Sequence, residues 1–199
     1  MSPVIETKRL KLRPPVLADA PAIAGYLNNF AVAGNLARVP CPYKLKDAEW
    51  WLGQRRADPR PAETDFAIEL PGAGYIGQVG FHHDVKTPTL GYWLAEPFWH
   101  RGFMTEATAA VIDWFFWASD DTVIHSGVFH FNKASLKVQR KLGFTETGSS
   151  MRHCLARGED VRHIDTELPR SRWKGLPERL QEKPGSGSPP ERATLKDKS

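Results

Sequence analysis

Between Glu96 and Ala107 the chain reads EPFWHRGFMTEA, a tight basic turn that joins an apolar segment to an amphipathic one. From Ala107 to Ala118 apolar residues recur at helical spacing, so the turn leads into a helix. The first N–H groups of a helix have no intrahelical partners, and the helix dipole adds positive potential there. Gly102 lets a ligand approach the backbone closely. The stretch therefore predicts a helix start that binds a phosphate group.

The composition predicts a single domain. The chain has 199 residues, 41% of them hydrophobic, which is enough to bury one sizeable core. Its net charge of +4 is spread along the chain and no groove-binding motif is present, so we expect no nucleic-acid partner. Cys41 and Cys154 lie far apart without metal-ligand spacing, which predicts reduced packing residues and no metal site.

Targeting signals are not evident in the sequence. The first residues lack the apolar run of a signal peptide, and no segment is apolar over the length of a membrane span. We therefore expect a cytoplasmic protein without a membrane partner, either a monomer or a homodimer. Residues 175–199 are rich in Pro, Gly, Ser and charge without periodicity, which predicts a disordered tail after a domain of residues 1–174.

Periodicity and turn residues predict an α+β fold of about seven strands and four helices. The strands are expected at residues 8–13, 64–70, 74–84, 89–95, 122–131, 147–156 and 161–168. Helices are expected to begin near Asp19, Asp47 and Gly102, and at Lys133. Asn132 is expected to cap the last of these helices, and Gly143 to end it.

In this order and spacing, the motifs resemble those of the GNAT superfamily of acyl-CoA N-acyltransferases. The matching elements are the turn and helix start at 99–107, the helix start at 132–135 after a strand, and residues 143–144. The opening residues 6–14, the segment 91–94 and Trp173 narrow the resemblance to the ribosomal-protein N-terminal acetyltransferases, the Rim type. The resemblance covers roughly residues 5–173.

The resemblance implies a GNAT fold: a mixed, mostly antiparallel sheet splayed into a V, with acetyl-CoA in the cleft. The pyrophosphate would be held by the backbone of the turn and helix start: Arg101, Gly102, Phe103, Met104 and Thr105. The main chain of Trp93, Leu94 and Ala95 would pair with the pantetheine arm, and Asn132 would also contact it. The chain departs from the family at His100, where Gly is frequent, and at Met104, where Gly or Ala is frequent.

The chemistry that the resemblance implies is attack of a neutral amine on a thioester. It needs a route for the amine proton and an acid for the departing thiolate. Ser135 stands at the family position proposed to meet the CoA sulfur and is our candidate acid; a local first-turn hydrogen bond is the alternative. Asn132 can likewise be an N-cap alone.

The general base is left open by the sequence. The Rim-type carboxylate falls near Cys154, which does not suit that role. His82 and His83 end a predicted strand on opposite faces, so one of them at most points into the cleft. Glu69 or a water chain are further options, whereas Glu106, in a first helical turn, is expected to complement the dipole.

We therefore expect an N-acetyltransferase that uses acetyl-CoA as acyl donor and acts by direct attack in a ternary complex. The acceptor would be a primary amine, on a protein N-terminus or on a small molecule. The alternative, prompted by the missing carboxylate, is an acyl-CoA-binding module without turnover. An RNA-binding role is disfavoured because no basic, aromatic platform is present.

Overall fold

The structure is a computed structural model that describes residues 3–56, 59–84 and 87–176, and excludes the side chains of residues 83 and 84. The predicted tail, 175–199, lies outside the described residues from position 177 onward. The strands are β1 (Ile5–Glu6), β2 (Lys11–Arg13), β3 (Asp65–Leu70), β4 (Gly74–Asp84), β5 (Thr87–Leu94), β6 (Val123–Phe129), β7 (Thr145–Cys154) and β8 (Glu159–Pro169). The helices are α1 (Ala20–Leu27), α2 (Phe30–Ala33), α3 (Leu45–Gly53), α4 (Phe103–Ala118) and α5 (Lys133–Lys141).

All of these strands form one sheet in the order β1-β2-β3-β4-β5-β6-β8-β7. Neighbouring strands are antiparallel except β5 and β6, which run parallel. Parallel neighbours need a crossover, and here α4 supplies it. The prediction of a mixed, mostly antiparallel sheet with flanking helices is confirmed, with eight strands and five helices in the described residues instead of about seven and four.

The sheet buries a different set of helices on each face. On one face, the α4 face, the ring of Phe115 stacks on Phe81 of β4 with 4.1 Å between centroids. Both rings are fully buried, and each such side chain contributes about 1.5–3 kcal/mol through burial. On the other face, the α1 face, Ile23 of α1 and Leu52 of α3 pack with Ala67 of β3. α4 therefore packs across one face of the sheet.

The far side of α4 is held by the residues that follow β8. Trp173 donates its indole N–H to Asp113 Oδ1 at 2.9 Å. Arg170 donates to the carbonyls of Ser119 at 2.6 Å and Asp121 at 2.8 Å, beyond the helix C-terminus. A cation at this end also complements the helix dipole. In the described part of the chain α4 is the longest helix, and none of the helices there is long and apolar enough to cross a membrane.

Candidate active site

The start of α4 is a turn with two left-handed residues. Gly102 is the N-cap with φ 78°, and His100 has φ 61°. A positive φ at His100 explains why the family favours Gly there, because glycine adopts that region without strain. The first helical bond runs from Glu106 N–H to Gly102 O at 3.1 Å. Within the described residues, the backbone N–H groups from Arg101 to Thr105 have no protein acceptor.

Unpaired backbone donors thus lie at the residues for which anion binding is predicted: Arg101, Gly102, Phe103, Met104 and Thr105. These unpaired N–H groups lie at the positive end of a helix of 16 residues. Met104 does not project its bulk toward them, because its side chain is buried and its sulfur accepts the Thr108 hydroxyl at 3.3 Å. The binding role of these residues remains a prediction.

Glu106 ties the turn to the N-terminal strands. Its side chain is fully buried. It accepts hydrogen bonds from the Thr7 hydroxyl at 2.8 Å, the Arg9 backbone N–H at 2.8 Å and Arg9 Nε at 2.7 Å. Arg9 also donates to the Arg101 carbonyl at 2.9 Å and lies over the Phe103 ring. Glu106 is thus an anchor, a larger role than the expected dipole partner.

The sheet splays between β5 and β6. In the described residues their register joins Thr89 to His125 alone, and a side-chain bond from Ser126 Oγ to the Leu90 carbonyl, 2.9 Å long, follows it. Beyond Leu90 and Ser126 the strands diverge and leave a space that we call the gap. Because β5 continues directly into the turn before α4, the turn stands at the open end of the gap.

Alternate residues of β5 direct their backbone N–H and C=O groups toward the gap. Ala95 N–H donates to Ile76 O of β4 at 2.9 Å, so Trp93 and Ala95, two apart, direct their backbone groups toward β4. Tyr92 and Leu94 direct theirs toward the gap. The Leu94 carbonyl accepts the Trp99 indole N–H at 2.7 Å. Of the predicted pantetheine contacts Trp93, Leu94 and Ala95, only Leu94 directs its backbone N–H toward the gap, and the binding role of the three stays a prediction.

Ser135 lies on the α4 face of the gap. Its hydroxyl is 2.8 Å from the Tyr92 hydroxyl, which also donates to the Ser135 carbonyl at 3.2 Å. Asn132 Oδ1 accepts the Ser135 backbone N–H at 3.0 Å, which confirms Asn132 as the N-cap of α5. Burial raises the pKa of Tyr92 to about 12. The pair is therefore a neutral, protonated hydroxyl couple near neutral pH, able to donate a proton into the gap.

A buried polar chain fixes α5 beside the gap. Gln139 Nε2 donates to Ser126 Oγ at 2.9 Å, and Gln139 Oε1 accepts the Thr166 hydroxyl at 2.8 Å. Ser126 in turn bonds to Leu90, so one connected network joins β5, β6, β8 and α5. All its polar members are satisfied, and such networks hold a single geometry. Ser135, one turn before Gln139, is thereby held at a defined distance from β5.

The histidine candidates lie on β4. The side chain of His82 is on the α1 face, where an ideal Cβ on Gly91 of β5 would be 3.4 Å from its Cε1. It borders a shallow groove of about 350 Å³ shared with Arg55 and Asp65. A catalytic role of His82 stays a prediction. The side chain of His83 lies outside the described residues.

Cys154, near which the Rim-type carboxylate is expected to fall, is a packing residue. It is fully buried, with its Sγ 3.5 Å from the Leu36 carbonyl. It packs with Phe129 and Val161 on the α1 face. Sequence reasoning also left three contributors without a role: Tyr92, Thr7 and Arg9. The motifs at residues 6–14 and 91–94 contain all three, but their contacts form only in the folded chain.

Comparison with known proteins identifies the domain type. The family model described as "Acetyltransferase (GNAT) domain" matches residues 9–145. Among curated proteins of Bacillus subtilis, the uncharacterized N-acetyltransferase YoaA is 29% identical over 157 residues, covering 74% of this chain and 86% of YoaA. The SPbeta prophage-derived uncharacterized N-acetyltransferase YokL is 32% identical over 80 residues, covering 39% of this chain and 45% of YokL. The match thus spans less than half of YokL.

Solved structures share the fold. The ribosomal-protein-S5-alanine acetyltransferase from Vibrio fischeri has a TM-score of 0.74 at 22% identity, over 87% of this chain and 100% of that one. The spermidine N-acetyltransferase from Vibrio cholerae, in complex with CoA and spermine, has a TM-score of 0.70 at 19% identity. The match covers 82% of this chain and 97% of that one. At these identities the likeness concerns the fold.

Proposed function

Because the chain belongs to the acetyltransferase (GNAT) family, we propose that it transfers the acetyl group of acetyl-CoA to a primary amine in a ternary complex. Membership confirms the expectation of an N-acetyltransferase. The finer expectation, a Rim-type enzyme acting on a protein N-terminus, is part of the proposal and is supported by the motifs at residues 6–14 and 91–94. A small-molecule amine is the other acceptor class.

The donor fits the features of the gap. The unpaired N–H groups from Arg101 to Thr105 carry the proposal, because they supply several donors and a helix dipole to a pyrophosphate. The turn lies at the mouth of the gap, so a pantetheine arm extending from it would run along the free edge of β5. The Leu94 N–H is available to pair with it there. The Asn132 side chain, at the start of α5, borders the same space.

The acid step belongs to Ser135. As the amine nitrogen bonds to the acetyl carbon, the carbon–sulfur bond breaks and the thiolate takes up a proton. Ser135 Oγ donates that proton, and the Tyr92 hydroxyl 2.8 Å away donates its own proton to Ser135 in turn. Tyr92 recovers a proton from solvent after release of CoA. Its raised pKa, about 12, keeps it protonated near neutral pH.

A direct assay tests this function. Acetyl-CoA is mixed with the protein and a panel of peptide N-termini and polyamines, CoA release is followed with a thiol-reactive dye, and acetylated products are identified by mass. Ser135→Ala is expected to lower kcat by about 10²-fold, the usual contribution of a general acid. Its Kd for acetyl-CoA should stay within about twofold, because the backbone donors are unchanged.

Ser149→Ala is the matched control, since Ser149 is exposed on β7 away from the gap. It should leave both constants unchanged. Acetyl-CoA binding without release of CoA for any amine would instead support the alternative, an acyl-CoA-binding module. Transfer to peptides but not to polyamines would support the Rim-type acceptor, and the reverse would contradict it.

A further inference from the structure

His163 and Asp165 form a pair on β8 that the sequence motifs do not single out. His163 Nδ1 lies 2.8 Å from Asp165 Oδ1, and the Ser150 hydroxyl donates to the same carboxylate oxygen at 3.0 Å. The histidine side chain is 14% exposed and the aspartate 32%. The ring is therefore oriented by a carboxylate, mostly buried, and still reachable from one side.

The ring leans over the strand that borders the gap. His163 is registered with Phe129 of β6, and Asp165 with Gly127. An ideal Cβ on Gly127 would lie 2.0 Å from His163 Cε1, so the imidazole fills the space that any other residue there would occupy. Gly127 is the residue after Ser126, the last bridge before the gap opens. The imidazole thus lies over β6 at the level where the gap begins.

His163 and the Ser135–Tyr92 pair lie on opposite faces of the sheet. Thr166 bonds to Gln139 of α5, which places it on the α4 face. Alternation along β8 then places Asp165 and His163 on the α1 face. A thioester carbon in the gap would have a proton donor on one side and an imidazole on the other. Direct transfer needs one group that takes the proton of the amine and another that gives a proton to the departing thiolate, and the two faces of the gap offer one of each.

We propose that His163, oriented by Asp165, is the general base that takes the proton from the attacking amine. The inference rests on the proposed acetyltransferase function. The amine nitrogen forms its bond to the acetyl carbon and passes its proton to His163 Nε2, while the sulfur leaves and is protonated by Ser135. The imidazolium then returns its proton to solvent. Atoms and charge balance without any further reactant.

The charged groups around the ring favour this role. Asp165 is in direct contact. On the same face, His125 of β6 and Glu167 of β8 are registered with each other, and Arg152 lies on β7. Arg157 reaches from the β7–β8 hairpin to the rings of Phe30 and Phe131. Asp165, which is in contact with the ring, stabilises an imidazolium once the ring has taken up a proton.

His163→Gln tests the base in the assay of CoA release. The variant should lower kcat/KM by about 10²-fold to 10³-fold, the range of general-base catalysis, and abolish the ascending limb of the pH profile near neutrality. Binding of acetyl-CoA, measured by calorimetry, should be unchanged. Imidazole added to His163→Ala should restore part of the rate, which a merely structural histidine would not allow.

His153→Gln is the matched control. His153 Nδ1 of β7 pairs with Asp160 Oδ1 of β8 at the same 2.8 Å, but both side chains are exposed, at 54% and 66%. It should leave kcat/KM and the pH limb as in the wild type. His82→Gln tests the competing candidate. If His82→Gln loses the ascending limb of the pH profile and His163→Gln keeps it, the assignment of His163 as the base is overturned.

Two further outcomes distinguish failure of the acetyltransferase function from failure of His163 as the base. If the wild type acetylates no amine, the acetyltransferase function fails and the base fails with it. If the wild type is active and His163→Gln keeps the ascending limb, the base alone is refuted. Should His163→Gln fold poorly by circular dichroism, Asp165→Asn provides the second variant. It removes the orienting charge at a half-exposed position and should displace the pH limb and lower kcat, and an unchanged profile in it would refute the assignment.

Discussion

Replacing Glu106 with glutamine should destabilise the fold and weaken acetyl-CoA binding together. Glutamine keeps the oxygen that accepts from Thr7 and from the Arg9 backbone, but places an amide N–H₂ against Arg9 Nε, which now lies 2.7 Å from a carboxylate oxygen. A lost hydrogen bond to a charged group costs about 1.5–3 kcal/mol. Arg9 is 39% exposed, so we take about 2 kcal/mol, toward the lower end.

For a domain of this size, a loss of about 2 kcal/mol lowers Tm by roughly 4–8 °C. The free energy of unfolding is measured by urea titration and the Kd for acetyl-CoA by calorimetry. Affinity should fall because Arg9 also holds the Arg101 carbonyl, and a loosened turn must be ordered when the ligand binds. Glu146→Gln, which removes the charge from an exposed pair with Arg140, is the control and should cost less than about 0.5 kcal/mol. Equal losses of unfolding free energy in Glu106→Gln and Glu146→Gln would refute the reasoning.

Two further predictions concern the turn and the hydroxyl pair. Gly102→Val should raise the Kd for acetyl-CoA at least tenfold by calorimetry, because φ 78° strains a branched residue; Gly72→Val, at φ 81° in open space, should carry a similar strain and leave Kd unchanged. Tyr92→Phe should lower kcat without changing that Kd. Because the folded pKa of Tyr92, about 12, exceeds the ordinary value of 10.0, its protonated hydroxyl stabilises the fold below pH 10, and this contribution is lost as pH rises toward 12. The wild type should thus lose more stability than Tyr92→Phe between those values in urea titrations, and an equal loss would contradict the assignment.

Helix caps, turns and strand patterns that depend on residues adjacent in the sequence could be predicted from the sequence. Asn132 as the cap of α5 and Gly143, with φ 93°, as its end follow from local backbone requirements, and both are confirmed. The extent of β4 was predicted to the residue, because alternation and the turns at its ends mark it. Ends of other strands differ by a few residues: β7 begins at Thr145 instead of 147. Pairing with β8 sets that end, and pairing is not local information.

Long-range contacts could not be predicted in this way. Glu106 looked like a dipole partner because its sequence neighbours show only a helix start, whereas its partners Thr7 and Arg9 come from the other end of the domain. Their meeting depends on how α4 lies across the sheet. The pattern of residues 6–14 contributes to the family resemblance, and two of its residues, Thr7 and Arg9, make this contact. A motif can therefore point to the correct fold before its cause is known.

The position of a general base likewise depends on contacts between residues that are far apart in the sequence. Counting along β7 leads to Cys154, because the count assumes that the base stands where the Rim-type carboxylate does. The base that we propose, His163, instead lies on the adjacent strand β8, and its ring leans over β6 because Gly127 there has no side chain. In sequence, Gly127 and His163 are two unremarkable residues on separate strands. Their steric complementarity suggests that Gly127→Ala, by displacing the ring of His163, would mimic loss of the base while leaving the His163–Asp165 sequence intact.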